Sequence, residues 1–230
     1  MTSFPAYPRG DIADRTRIVL RPLASPLPLG FFAFGVGIVL TSLLDLTVLA
    51  PEYGHQVALL LLVFPAPLEL LAAVFAMLAR DPGAGTALAV FAATWTATGL
   101  GMILAPPGST SPVTGTFDMC LTAVLVALAC ASALGKPALS ILLGLASVRF
   151  LCTGLDELLD SQPWAQAAGI IGLVITAFSL YGGLALLLED SRGRTLLPTG
   201  RRGRARDSIQ GGFDAQLAQV EAEAGVRNQL

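Results

Sequence analysis

Three charges stranded in apolar sequence are the residues of this 230-residue chain best placed to do chemistry. Glu69 lies within about one helical turn of Pro65 and Pro67, in a run from residue 56 to 79 that holds no other charge. Each proline lacks a backbone N–H, so the carbonyls of Leu61 and Val63 lose their helical partners and a kink is expected. A carboxyl in such a run is costly as an anion and is by default a functional candidate. The plain alternative is a protonated Glu69 that only hydrogen-bonds a neighbouring helix. In the functional reading Glu69 is neutral whenever an anion passes, with the freed carbonyls of Leu61 and Val63 accepting its proton. Asp45 and Arg149 lie five and six residues from the expected outer ends of their own runs. An ion pair between them would remove most of the cost of burying either charge. The other reading makes Arg149 an anion-binding point on the outer approach.

Enzyme chemistry finds little support. His55 is the single histidine and reads as a solvated link residue, and the chain has no Ser-His-Asp, HExxH or phosphate-loop pattern. Cys120, Cys130 and Cys152 fall in apolar runs without CxxC spacing, and read as small buried hydrophobes rather than a disulfide or a metal site. Neither a catalytic residue, a metal nor a cofactor is expected.

The elements that must position these charges follow from composition. Hydrophobic residues make up 54% of the chain and charged residues 13%, against roughly 25% charged in a soluble domain. No Lys or Arg occurs between Arg21 and Arg80, and none between Arg80 and Lys136. A helix needs about 20 apolar residues to cross the hydrocarbon core. Six runs qualify, at 29–50, 56–79, 85–105, 117–135, 138–155 and 165–188, the fifth being the shortest. Short turn-rich links make successive spans antiparallel neighbours. The fold class is an all-α integral membrane protein, with a six-helix transmembrane bundle over 29–190 between an N-terminal segment, 1–28, and a basic then polar tail, 191–230. The five prolines and scattered charges of residues 1–28 leave no apolar core before Leu23, so a cleavable signal peptide is not expected.

Positive residues are retained on the cytoplasmic side. With the N-terminus inside, 13 of the 14 Lys and Arg residues fall on inner segments, whereas the outer links hold Glu52, Asp118, Asp156, Glu157 and Asp160. Both termini are therefore expected to be cytoplasmic. The arginine-rich run 201–206 directly follows a span, so it is read as juxtamembrane attraction to anionic lipid rather than nucleic-acid binding, and 214–223 as a short amphipathic helix. Gly85, Ala89, Ala93, Ala97 and Gly101 recur every four residues and line one helix face suited to close packing, in a bundle or an oligomer. Thirteen arginines beside one lysine suggest a high-GC bacterium.

Two segments then resemble a known family. From Ala168-Gly169-Ile170-Ile171-Gly172-Leu173 through Tyr181 to Gly193-Arg194-Thr195-Leu196-Leu197-Pro198-Thr199-Gly200, the chain resembles the last span and exit of the acetate uptake transporters, or succinate-acetate permeases, without a gap. The start of the first span, Ser25-Pro26-Leu27-Pro28-Leu29-Gly30-Phe31, is similar to that family's signature Asn-Pro-Ala-Pro-Leu-Gly-Leu, with Phe34 and Gly35 also in place. Weaker similarity runs through the second span to Trp95, which matches a family Trp. The resemblance implies six helices per protomer, a hexamer similar to that of acid-activated urea channels, and a path through each protomer for acetate or succinate with protons. It departs at Ser25, which stands for Asn, at Phe64-Pro65-Ala66 for Tyr-Gly-Gly, at Glu69 for Gln and at Asp45 for Asn.

These readings place Ser25, Pro26, Pro28, Gly30, Phe31, Phe34, Phe64, Glu69, Trp95 and Tyr181 along the substrate path, with the aromatic rings as a constriction that excludes hydrated ions. The implied partners are a small carboxylate, a proton, membrane lipid and further copies of the chain, and the expected location is the bacterial inner membrane. Two rivals stand beside this. One is a channel for a neutral or cationic solute such as urea or ammonium, which an ionised Glu69 would help. The other is a non-transporting membrane protein whose basic tail recruits a partner.

Overall fold

The computed structural model describes residues 23–192 and 194–200; the expectations for 1–22, the arginine run at 201–206 and the helix at 214–223 lie outside the described residues. Those described residues form helices α1 (Leu27–Asp45), α2 (Gly54–Val63), α3 (Pro65–Leu78), α4 (Pro82–Leu104), α5 (Pro112–Ser132), α6 (Pro137–Leu159) and α7 (Gln162–Arg192), with a short 3-10 turn at Pro51–Tyr53 and no strand. Counting α2 and α3 with their preceding turn as one span, six are long and apolar enough to cross a membrane. The protein is thus an all-α, multi-pass membrane protein.

Local chemistry sets most of the ends. Helices α1, α3, α4, α5 and α6 each carry a proline in the first turn, where a missing N–H leaves no hydrogen bond unmade. Asp81 caps α4 by accepting from the amide of Ala84 at 3.2 Å, and Ser111 caps α5 by accepting from that of Thr114. The second span breaks at Phe64, with φ −117° and ψ −76°, one residue before Pro65. Pro65 and Pro67 cannot donate to Leu61 and Val63, so the ladder has no way to run through unbroken.

Several limits differ from the apolar runs. Helix α1 stops at Asp45 rather than near residue 50, and Thr47 turns the chain with φ 56°. Helix α5 starts at Pro112, five residues early, because the Ser111 cap lets polar sequence join the helix. The fifth span is not short: α6 has 23 residues and α7 has 31. Hydropathy marks only the stretch that suits hydrocarbon, and helices continue beyond it wherever caps permit.

Helix α1 is the axis of the bundle. It packs most heavily on α7 and also on α3, while α3 pairs with α4 and α5 with α6. Leu27, Phe31, Phe34 and Ile38, three or four residues apart, are all buried. Lipid supplies no hydrophobic drive between helices, so contact depends on close approach. At Gly182 a Cβ would lie 2.6 Å from the Phe31 ring, and at Gly37 it would lie 2.8 Å from the Trp95 ring. A large side chain at Gly182 would push α7 away from the Phe31 ring, and one at Gly37 would push the Trp95 ring away from α1. The outward faces remain apolar, as with Leu70, Leu71, Val74 and Leu78 of α3.

The four-residue stripe of α4 divides. Gly85 packs against Met77, but Ala93, Ala97 and Gly101 lie on the exposed face, and α4 turns Ala84, Ala87, Leu88, Phe91 and Trp95 inward instead. Cys152 is buried as expected of a small hydrophobe. Cys120 and Cys130 are exposed, on the face that α5 leaves outside its pairing with α6. All three are free thiols.

Candidate functional site

At the centre of the bundle, Phe34 of α1 meets two aromatic rings of α4. Its centroid lies 4.3 Å from that of Phe91 and 5.8 Å from that of Trp95, both tilted contacts. The three are at most 2% exposed, so they form a dry, closed section. Phe91 was not marked by the sequence; it lies one turn before Trp95, so spacing alone could have found it.

Glu69 enters this section from α3. It is fully buried, on a face otherwise made of Pro65, Ala66, Ala72, Ala73 and Ala76, whose small side chains let α3 lie close to α1. Neither carboxyl oxygen has a hydrogen-bond partner, and the indole nitrogen of Trp95 lacks one too. The carboxyl and the indole lie close enough to act on each other but do not close a hydrogen bond. No hydrogen bond joins the Glu69 carboxyl to the carbonyls of Leu61 and Val63, the acceptors expected from the sequence. A buried carboxyl and a buried N–H with free bonding capacity are costly in a packed protein. They are also what a small solute with one donor and one acceptor would satisfy.

A second polar group lies near the far end of α1. Arg149 Nη2 donates to Asp45 Oδ2 at 2.8 Å and to Thr41 Oγ1 at 2.9 Å. The Arg149 side chain is 4% exposed and that of Asp45 22%. Asp45 is the last residue of α1, where a negative charge opposes the helix dipole, and Arg149 offsets it. Arg149 Nε stays unpaired beside Gly172, where a Cβ would sit 3.0 Å from it and collide with Ser42 Oγ. Asp118 is not a link residue but a buried one inside α5.

The signature turn lies at the opposite end. Ser25 donates its amide to Asp190 Oδ2 at 3.3 Å, Pro26 caps α1, Pro28 is buried, and Gly30 packs on Leu88. Phe31 lies one turn below Phe34 and is 2% exposed. Two of the aromatic residues named from sequence stand apart. Phe64 occupies the break itself and is 43% exposed. Tyr181 is on the outer face of α7, and its hydroxyl donates to the carbonyl of Pro198 at 3.1 Å, tying the exit segment to its helix. His55 is exposed, and among the described residues no cluster of His, Cys, Asp or Glu could hold a metal.

Six spans around a closed aromatic section, with one unpaired carboxyl inside it, define a polytopic membrane protein. Residues 14–200 match the GPR1/FUN34/yaaH family, and the chain belongs to it. That membership agrees with the acetate uptake transporter resemblance of the two end segments. A solved structure described as the bacterial acetate channel SatP has the same fold, with a TM-score of 0.68 and 20% identity, over 77% of this chain and 99% of that one. No curated protein sequence matches the chain.

Proposed function

We propose that this protein carries acetate, or a related short-chain carboxylate such as succinate, across the bacterial cell membrane together with a proton. The observation that carries the reading is membership of the GPR1/FUN34/yaaH family over residues 14–200, and the fold shared with the acetate channel SatP supports it. The path runs beside α1 from the Ser25–Phe31 turn past Phe34, Phe91 and Trp95 to the end marked by Asp45 and Arg149. Phe34, Phe91 and Trp95 strip water from the solute and exclude hydrated ions. Neutral Glu69 and the Trp95 indole offer the one donor and one acceptor that a carboxylic acid can match, so the acid crosses without like-charge repulsion. Both termini face the cytoplasm, which puts Lys136 and the arginine-rich tail beside anionic lipid. Six copies assemble with α4's exposed small-residue face available for close contact.

The unpaired carboxyl of Glu69 favours one rival, a channel for urea or ammonium, because either solute brings N–H donors. Radiolabelled acetate, succinate and urea, offered in turn to proteoliposomes with and without an inward pH gradient, separate the two. The carboxylate reading expects acetate or succinate to accumulate with the gradient and urea to stay at background. Urea uptake with carboxylates excluded would replace it with the rival.

A further inference from the structure

Beyond α7 the chain returns to the end of the bundle that holds the Ser25–Phe31 turn. Residues 194–200 carry no helix, and Thr199 is the one buried residue among them. It is 7% exposed and lies with Leu27 and Phe31 of α1, Leu139 of α6 and Leu186 of α7 around a gap with room for about one water. This end is closed, and a residue of the returning segment closes it.

The frame around Thr199 is fixed. Ser25 donates its amide to Asp190, which ties the start of α1 to the end of α7, and the Lys136–Asp81 ion pair ties the start of α6 to the turn before α4. The returning segment is held by less. Thr195 Oγ1 donates to Glu189 Oε1 at 2.9 Å, and the Tyr181 hydroxyl donates to the carbonyl of Pro198 at 3.1 Å. No backbone–backbone hydrogen bond between described residues joins 194–200 to a helix. Tyr181 is 41% exposed, so water competes for its bond, and a hydrogen bond of this kind favours the bound position only about fivefold. At the far end Gly200 has φ 68°, and a Cβ there would lie 3.0 Å from Pro137. Glycine takes this turn without strain and lets the chain lie against α6.

We infer that residues 194–200 form a strap that gates this end of the path, with Thr199 as the plug over Leu27 and Phe31 and the Tyr181 hydroxyl as the latch. The gating role rests on the transport reading. Phe31 lies one turn from Phe34, so the plug stands at the entrance to the closed aromatic section. A path shut at all times carries nothing, and of the elements around the gap the strap is the one without backbone pairing. It opens by releasing Pro198 and Pro137 while the helices stay in place.

The plain alternative is a fixed clasp that only finishes α7. Leu27→Cys reports the difference, because Leu27 is 5% exposed under the plug, and with Cys120→Ser and Cys130→Ser the one other thiol left is the buried Cys152. The full-length protein in nanodiscs is labelled with a water-soluble maleimide, and acetate uptake into proteoliposomes is measured for the same strap variants without the reporter. Tyr181→Phe keeps the ring and removes the latch, so labelling of Leu27→Cys should quicken about fivefold. Gly200→Ala, strained at φ 68° and crowded by Pro137, should act in the same direction. Both should raise initial acetate uptake above wild type, by up to the same factor, because the open population rises. Unchanged labelling in both variants would overturn the strap as a moving part. Faster labelling with uptake no higher than a transporting wild type would overturn the gate in favour of the clasp. Faster labelling with no form exceeding protein-free liposomes would fault the transport reading and leave the strap standing as a lid over Leu27.

Discussion

Replacing Asp45 by Asn leaves Arg149 charged, 4% exposed and still bonded to Thr41, but without its counter-ion. Removing one partner of a fully buried pair costs about 3–5 kcal/mol. Asp45 is 22% exposed and Asn retains an oxygen that can accept from Nη2, so about 2 kcal/mol is the better expectation. For a domain of this size that corresponds to a fall of about 4–8 °C in melting temperature. Arg149→Leu should cost less than Asp45→Asn, because a carboxyl that loses its partner can take up a proton while a guanidinium cannot lose one. The double variant Asp45→Asn with Arg149→Leu should then recover much of the loss, with a coupling of about 1–2 kcal/mol. Thermal unfolding of the detergent-purified protein, followed for wild type, both singles and the double, supplies the cycle. Strictly additive losses would refute the reasoning.

Other expectations are simpler. Glu69→Gln cannot ionise and restores the amide that the resembling family carries, so acetate uptake should persist, within about twofold, while its decline at high external pH flattens; an unchanged profile would remove Glu69 from the mechanism. Gly37→Ala would put a Cβ 2.8 Å from the Trp95 ring, and displacing that ring should lower stability by about 1–3 kcal/mol and reduce flux in parallel, as read by melting and uptake. Reporter fusions after Arg80, Lys136 and Gly200 should all report the cytoplasm and fusions within 108–115 the outside; an external signal at Gly200 would break the six-span topology.

The number of spans was legible because six long runs each hold at most one charged residue, and the break in the second because two prolines stand in it. The Asp45–Arg149 contact was legible from matched depth alone. Helix rotation was not. Spans that are apolar on every face carry no signal to tell the inside from the lipid side, so the exposure of Phe64 and Tyr181 was not legible. The same ambiguity hid the exposure of Cys120 and Cys130 and sent most of the small-residue stripe of α4 to the outside. Glu69 was legible from its type and position, but not that its carboxyl and the indole nitrogen of Trp95, 26 residues further on, would both be buried without a hydrogen-bond partner.

The central claim is that acetate passes through the protomer beside α1. Acetic acid also leaks through bare lipid, so the decisive measurement compares uptake of radiolabelled acetate, under an inward pH gradient, in three sets of liposomes: protein-free, with wild-type protein, and with Gly37→Leu, whose side chain would be forced into the Phe34, Phe91 and Trp95 section. Wild type should exceed the protein-free rate severalfold, and Gly37→Leu, confirmed as folded in the membrane, should fall back to it. Wild-type uptake no faster than bare lipid, or a Gly37→Leu variant as fast as wild type, would contradict the account.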